Sequence, residues 1–237
     1  MAIKDVQFYN AESSKYSKKR YPKVTLTYTQ FFFKKRLEII LRKMSPLIQN
    51  KKNISILEIG CADGIVVRNL RSFFPDTFSK LVGIDTSPGM INVAKTNEAN
   101  TGINFFIRSD FESLQKFDFI FEIGVINYAD LDTEIKFGAE NLKNDGYFVC
   151  TVAATSSLSN IFKRNPHEYN NFLSYGSYEK SFRKFFDIEK SFPVGLFIPF
   201  LWRMPLLAGF LQPFVEIILR PLVPNIFHEK IYILKKR

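Results

Sequence analysis

Residues 54–59 (Ile54, Ser55, Ile56, Leu57, Glu58, Ile59) are mostly apolar with little alternation, the pattern of a strand covered on both faces. Comparable short runs recur at Leu81–Ile84, Ile103–Ile107, Phe117–Phe121 and Gly146–Val152. Helical spacing separates them, near 65–74, 89–97, 133–142 and 158–186. Alternating strand and helix predicts an α/β fold with a mostly parallel sheet and helices on both faces. Right-handed crossovers then gather the strand C-termini on one edge, where ligands bind in such sheets.

Two segments depart from that rhythm. Ahead of it, Phe31, Phe32, Leu37, Ile40, Leu41, Met44 and Leu47 recur in steps of three and four among basic residues, which predicts an amphipathic helix over about 27–48. Residues 1–21 are polar with spaced tyrosines, and Pro22 stops any helix there. Behind the rhythm, residues 192–224 carry only Arg203, Glu216 and Arg220 as charges, and their longest uncharged runs are 191–202 and 204–215. A spanning helix needs about 20 apolar residues. Six prolines (193, 199, 205, 213, 221, 224) further divide the segment, so it reads as short helical pieces and turns. It suits a substrate lid, a membrane-surface anchor or a dimer face. A last strand is expected at about 228–235.

Charge sharpens the division. Residues 1–53 hold thirteen Lys/Arg against Asp5, Glu12 and Glu38, whereas residues 54–237 hold twenty of each sign. The whole excess of +10 therefore lies ahead of the first core strand. Such a field attracts phosphates of lipid, nucleic acid or a small substrate, and it also suits a solvated helix. The chain is 46% hydrophobic and contains 26 Phe among 237 residues, so disorder is excluded as its general state. Two cysteines, Cys61 and Cys150, form no disulfide framework and no metal-ligand spacing with His167 or His228. Met1–Asn10 has no apolar run, so a secretory leader is not expected and a cytoplasmic setting is. The organisation expected is a basic cap (1–53), a core (54–191), an apolar insertion (192–224) and a final core strand (225–237).

The chemistry-bearing residues follow strand ends. Leu57 to Gly64 (LEIGCADG) joins strand to helix. Glycines there let backbone approach a ligand at a helix N-terminus. A dinucleotide fingerprint wants glycine at 60, 62 and 65, whereas this chain has Ala62 and Ile65. Asp85 ends the second strand, where one carboxylate can accept from two ribose hydroxyls. Asp110 follows the third, and Phe117–Tyr128 covers the fourth and its exit.

In order and spacing these motifs resemble the class I S-adenosylmethionine-dependent methyltransferases, the group acting on small molecules and lipids, from about 54 to 152. The resemblance implies a seven-stranded Rossmann-like sheet with an antiparallel C-terminal strand, a sixth strand at about 184–190, and the apolar segment inserted between strands six and seven. It implies S-adenosylmethionine as cofactor and S-adenosylhomocysteine as product. Gly60, Cys61, Ala62 and Gly64 would wrap the methionine part, with Glu58 orienting the loop through backbone hydrogens. Asp85 would hold the ribose, Thr86 and Met90 would flank the adenine, and Asp110 with Phe111 would read its edge. Glu122 and Ile123 would lie beside the sulfonium. Asn127 and Tyr128 stand where many relatives carry histidines, and with Tyr16 they are the pocket candidates. Tyr9, Tyr16, Arg20 and Tyr21 would fold over the site, Arg20 reaching the cofactor's carboxylate or the substrate. His167 and His228 read as a loop and a strand residue. No metal is implied.

Methyl transfer from a sulfonium is an in-line displacement, and a base is needed only if the nucleophile must lose a proton. An amine, thiolate or carboxylate fits directly, and a hydroxyl would need a base. No Asn/Asp-Pro-Pro-aromatic motif follows strand four, which argues against amino methylation of bases. The expected acceptor is a small hydrophobic or membrane-associated molecule, with an anionic membrane surface or a second copy as further partners. The competing readings are an RNA methyltransferase using the basic N-terminus, with nucleic acid the disfavoured partner, a non-catalytic cofactor-binding partner protein, and a nicotinamide oxidoreductase.

Overall fold

The computed structural model describes residues 6–97, 102–113, 115–161 and 171–237. His167 lies outside them. Seven strands form one sheet: β1 Ile54–Ile59, β2 Phe78–Asp85, β3 Ile103–Ile107, β4 Phe117–Glu122, β5 Leu142–Ala153, β6 Phe186–Val194 and β7 Glu229–Lys236. Their order is β3-β2-β1-β4-β5-β7-β6. The first five are parallel, and β7 runs antiparallel between β5 and β6. This is the mostly parallel sheet with an antiparallel C-terminal strand that the sequence implies.

Alternation sorts the core into two layers. Ile54, Ile56, Phe119, Phe121 and Val149 pack under helices α3 (Tyr28–Ile48) and α4 (Ile65–Phe73). Leu57, Ile59, Ile120, Phe148 and Val152 pack against α6 (Leu131–Asn141) and α8 (Tyr175–Phe182). Helix α5 (Pro88–Thr96) follows β2, its start capped by the Ser87 hydroxyl accepting from Met90 N–H at 3.2 Å. Helix α3 sits in the core rather than in a separate cap: Leu37, Ile40, Met44 and Ile48 are buried with the β1 residues.

Several elements differ from expectation. Residues 6–21 are helical in two pieces, α1 (Val6–Glu12) and α2 (Tyr16–Arg20), because this stretch docks on α5. The Asn10 side-chain oxygen accepts from Ser87 Oγ (2.6 Å) and Gly89 N–H (2.9 Å). The expected helix over 158–186 is confined to α7 (Leu158–Ile161) and α8, and β6 starts at Phe186. The apolar stretch contains one 18-residue helix, α9 (Pro205–Leu222), with Pro213 and Pro221 inside. Pro205 takes the first turn, where a missing N–H is harmless.

One buried ion pair ties the two ends of the chain together. Arg36 on α3 donates from Nη1 to Glu229 on β7 at 3.0 and 3.3 Å. Arg36 is pressed between Phe32 and Phe33, its guanidinium carbon 5.2 and 4.7 Å from their ring centres. Arg36 holds the Glu229 carboxyl below its ordinary range against the opposing effect of burial. Arg36→Met strands a buried carboxylate and is expected to cost about 3–5 kcal/mol in urea unfolding, and adding Glu229→Leu should recover most of the loss. Unchanged unfolding of the single variant would refute this role.

Candidate active site

The parallel strands β1, β2 and β4 end at one edge of the sheet. Antiparallel β7 begins there, because Glu229 pairs with Ala153 at the end of β5. A cavity of about 570 Å³ opens at this edge beneath the N-terminal helices. Tyr9, Tyr16 and Arg20 descend into it from above, Ile123, Gly124, Asn127 and Tyr128 form the exit of β4, and Tyr28, Phe32, Phe197 and His228 form the aromatic wall.

Beside the cavity, the turn after β1 is built for close approach. Gly60 has φ +66°, and a Cβ there would collide with the Val125 side chain. Ala62 adopts φ +49°, a left-handed conformation that costs a non-glycine residue about 1 kcal/mol or more. Its N–H is held by Asp85 Oδ2 at 2.8 Å. Asp85 Oδ1 accepts from Ser87 N–H, also at 2.8 Å. One carboxylate thus fixes the glycine turn and the start of α5 together. Glu58 plays the matching part below: its carboxyl accepts from Val67 N–H at 3.0 Å in the first turn of α4. Burial pushes both Asp85 and Glu58 above their ordinary ranges. Cys61 is buried, its thiol pushed up by burial, and its N–H bonds Ile84 O. Gly64 is left-handed at the start of α4.

The N-terminal strap reaches this turn. Ser17 N–H points to Asp63 Oδ2 at 3.3 Å. Arg20 stacks on Tyr16, its guanidinium carbon 3.9 Å from the ring centre. Glu12 pairs with Lys19 (2.7 Å), and Glu229 with Arg36. Arg20 forms no ion pair among the described residues, and its Nε is buried without a hydrogen-bond partner. Burial raises the Tyr16 and Tyr28 hydroxyls, so both stay protonated and donate. Tyr28 Oη lies 3.3 Å from His228 Nδ1, and the His228 ring stacks on Phe32 at 4.4 Å.

The remaining residues singled out in the sequence fall in three places. Thr86 is exposed just after β2, and Met90 is buried in the first turn of α5. Asp110 and Phe111 line a separate shallow depression with Lys80 and Asn104, away from the 570 Å³ cavity. Ile123 faces the cavity, whereas Glu122 is fully buried behind it and absent from the lining. Asn127 lines the cavity, but its amide is engaged: Nδ2 reaches Ala153 O, Asn171 O and Tyr178 Oη, while Oδ1 accepts from Ala153 N–H. It holds the exit of β4 to β5. The sequence reading missed Tyr28, Arg36, Phe197 and Glu229 and took His228 for a strand residue. The available signal was the antiparallel last strand, whose first residues must lie at the ligand edge.

The residues present fit S-adenosylmethionine. Asp85 is half-buried beside the glycine turn, each of its oxygens accepts one backbone N–H, and each has a further acceptor direction that a ribose hydroxyl can use. Arg20 and Tyr16 bring donors to the Asp63 end of the turn, where a methionine carboxylate would lie.

A three-layer sheet of this order with this edge defines the class I methyltransferase fold. The chain belongs to the methyltransferase-domain family, whose model matches residues 30–212. That family uses S-adenosylmethionine. The chain is 26% identical over 151 residues to a malonyl-[acyl-carrier protein] O-methyltransferase of Acetivibrio thermocellus, covering 62% of this chain and 48% of that protein. The Bacillus anthracis protein of the same name is 27% identical over 161 residues, 64% of this chain and 59% of the other. The chain thus spans about half the length of the curated relatives it matches. Magnesium protoporphyrin IX methyltransferase from Synechocystis, solved with bound S-adenosylhomocysteine, superposes with a TM-score of 0.69 at 10% identity, over 98% of this chain and 97% of that one. At that identity the likeness is one of fold.

Asp85→Ala is expected to weaken S-adenosylhomocysteine binding by about 1–3 kcal/mol in calorimetry, and Gly60→Val to abolish it. Unchanged affinity in either variant would discredit the glycine turn as the cofactor seat. Glu122 gives a pH test. Burial first, then the neighbouring Glu134, raises its carboxyl well above the ordinary 4.5. The folded state therefore binds a proton the unfolded chain has released, and stability falls as pH rises above about 4.5. Glu122→Gln should match the wild type near pH 4.5 and exceed it increasingly at pH 7–8 in thermal unfolding; parallel curves would contradict it.

Proposed function

We propose that this protein transfers the methyl group of S-adenosylmethionine to a carboxylate oxygen of a small acceptor with an apolar body. The single observation that carries this reading is the character of the cavity: aromatic walls with hydrogen-bond donors at the centre. Phe32 and Phe197 supply apolar surface. Tyr28 and Tyr16 are held protonated by burial and can only donate to an anion. The carboxylates of the lining, Glu12 and Glu229, are both neutralised by Lys19 and Arg36.

The cofactor would supply an activated methyl group with a neutral thioether as leaving group. The chain's own residues bind, orient and exclude water. Tyr16 and Arg20 close the strap over the methionine end, next to Asp63. Tyr28, braced by His228 and Phe32, is the donor that would orient the acceptor oxygen. A carboxylate is nucleophilic without losing a proton, so the reaction needs positioning rather than a base. The relatives' names, which specify O-methylation on an acyl-carrier protein, support oxygen as the acceptor atom.

The test is a panel of amphipathic carboxylic acids with matched alcohols, phenols and amines, read by mass and by base lability of the product. Methyl esters should form, with a rate flat from pH 6 to 9 because no acceptor proton is lost (the range begins about two units above the pKa of a free carboxylate). Tyr28→Phe should raise the acceptor KM about 5- to 30-fold and leave cofactor affinity unchanged, while Arg20→Gln does the reverse. Transfer only to phenols or amines, or a rate rising with pH, overturns this reading.

A further inference from the structure

Helix α9 is amphipathic with its faces reversed. Its buried residues are Ala208, Gln212 and Glu216, one every fourth position. Its exposed positions include Leu206 (91% exposed), Phe210, Phe214, Ile217, Ile218 and Leu222. A helix covering a soluble core does the opposite. The inward side chains act as anchors. Glu216 accepts from Leu196 N–H (2.9 Å) and Gln212 Nε2 (2.9 Å), and Gln212 Oε1 accepts from Trp202 Nε1 (3.1 Å). The helix is thus attached by hydrogen bonds to the 196–202 segment and offers its apolar side outward.

We infer that the outer face of α9 docks on the surface of an anionic lipid bilayer. By length and composition α9 is long and apolar enough to cross a membrane. Crossing would break the Gln212 and Glu216 anchors and strand a carboxylate in hydrocarbon, so the helix lies along the surface with its apolar side inward to the lipid. The charges select the occupant. Glu216 is internal and pairs with Arg220 at 3.6 Å, which leaves Arg203, near the start of the apolar face, as its charge without an ion pair among the described residues. Phe31 contacts Trp202, with ring centres 5.4 Å apart, which places the start of α3 beside the turn leading into α9. Just before it, Val24 and Leu26 are also exposed, 65% and 55%. In the same N-terminal stretch Lys15, Lys18 and Lys23 are exposed and form no ion pair among the described residues, whereas Lys19, Lys35 and Arg36 are taken up by Glu12, Glu38 and Glu229. Apolar insertion joined to basic attraction makes the two signals that stable membrane attachment takes. The 196–202 segment carries Phe197 into the cavity wall and its Trp202 onto α9, so the docked face adjoins the proposed acceptor site.

The experiment is co-sedimentation of the full chain with vesicles of phosphatidylcholine alone and of equal parts phosphatidylcholine and phosphatidylglycerol, at low and moderate salt. Sedimentation with the anionic vesicles is expected, reduced but not abolished by salt. The triple variant Leu206→Gln, Phe210→Gln, Ile217→Gln removes only exposed side chains. It should lose at least about tenfold in partitioning while keeping its unfolding temperature and its S-adenosylhomocysteine affinity. Absence of binding by the wild type, or equal binding by the triple variant, overturns the inference. So does a wild-type dimer in light scattering that the triple variant makes monomeric without any vesicle binding. Because the readout needs no acceptor, it is independent of the methyl-ester assay.

Discussion

The Arg36–Glu229 ion pair is the constraint on which the site depends. It joins α3, at the start of the chain, to the first residue of the last strand, across 193 positions of sequence. Two charges out of water are costly, and a buried pair stabilises only where geometry is good and further partners surround it. Here the guanidinium also lies against Phe32 and Phe33 and close to Gly124, at the exit of β4. Three elements that line the cavity, α3, β4 and β7, are thereby registered by one side chain.

A second carboxylate does the same for the cofactor side. Asp85 uses one oxygen for the left-handed Ala62 and the other for Ser87, so the glycine turn and the start of α5 move together. Asn10 then ties the strap to Ser87 and Gly89. The strap therefore closes over a surface that is already rigid. Strain at Ala62, rather than a glycine there, is tolerated because the N–H it points inward finds a charged acceptor.

Polar residues in this chain are spent on positioning as much as on chemistry. Asn127 exhausts its amide on β5 and the 171–178 region. Gln212 and Glu216 turn inward to hold α9. Tyr28 and Tyr16 present to the cavity hydroxyls whose ionisation burial pushes up. The result is a site that can orient an acceptor and exclude water, beside a surface whose apolar side chains are left uncovered in the single chain.

The strand runs, the glycine turn and the acids after strands two and three were legible in the sequence because each is local: burial on both faces makes continuous apolar runs, and a turn beneath a ligand needs small residues. The parallel sheet with helices on both faces followed from alternation and handedness, and the antiparallel last strand from the resemblance. What lay between distant segments was not legible. The partnership of Arg36 with Glu229, the placement of His228 beside Tyr28, and the withdrawal of Glu122 from the cavity depend on which way side chains face after packing. The reversed polarity of α9 was equally hidden, since period 3.6 shows that a helix has two faces and not which one turns inward. Sequence determined the core strands, the helices between them and the glycine turn; tertiary structure decided which distant segments meet, because pairing across more than a hundred residues is a property of the assembled core and leaves no periodic trace in the chain.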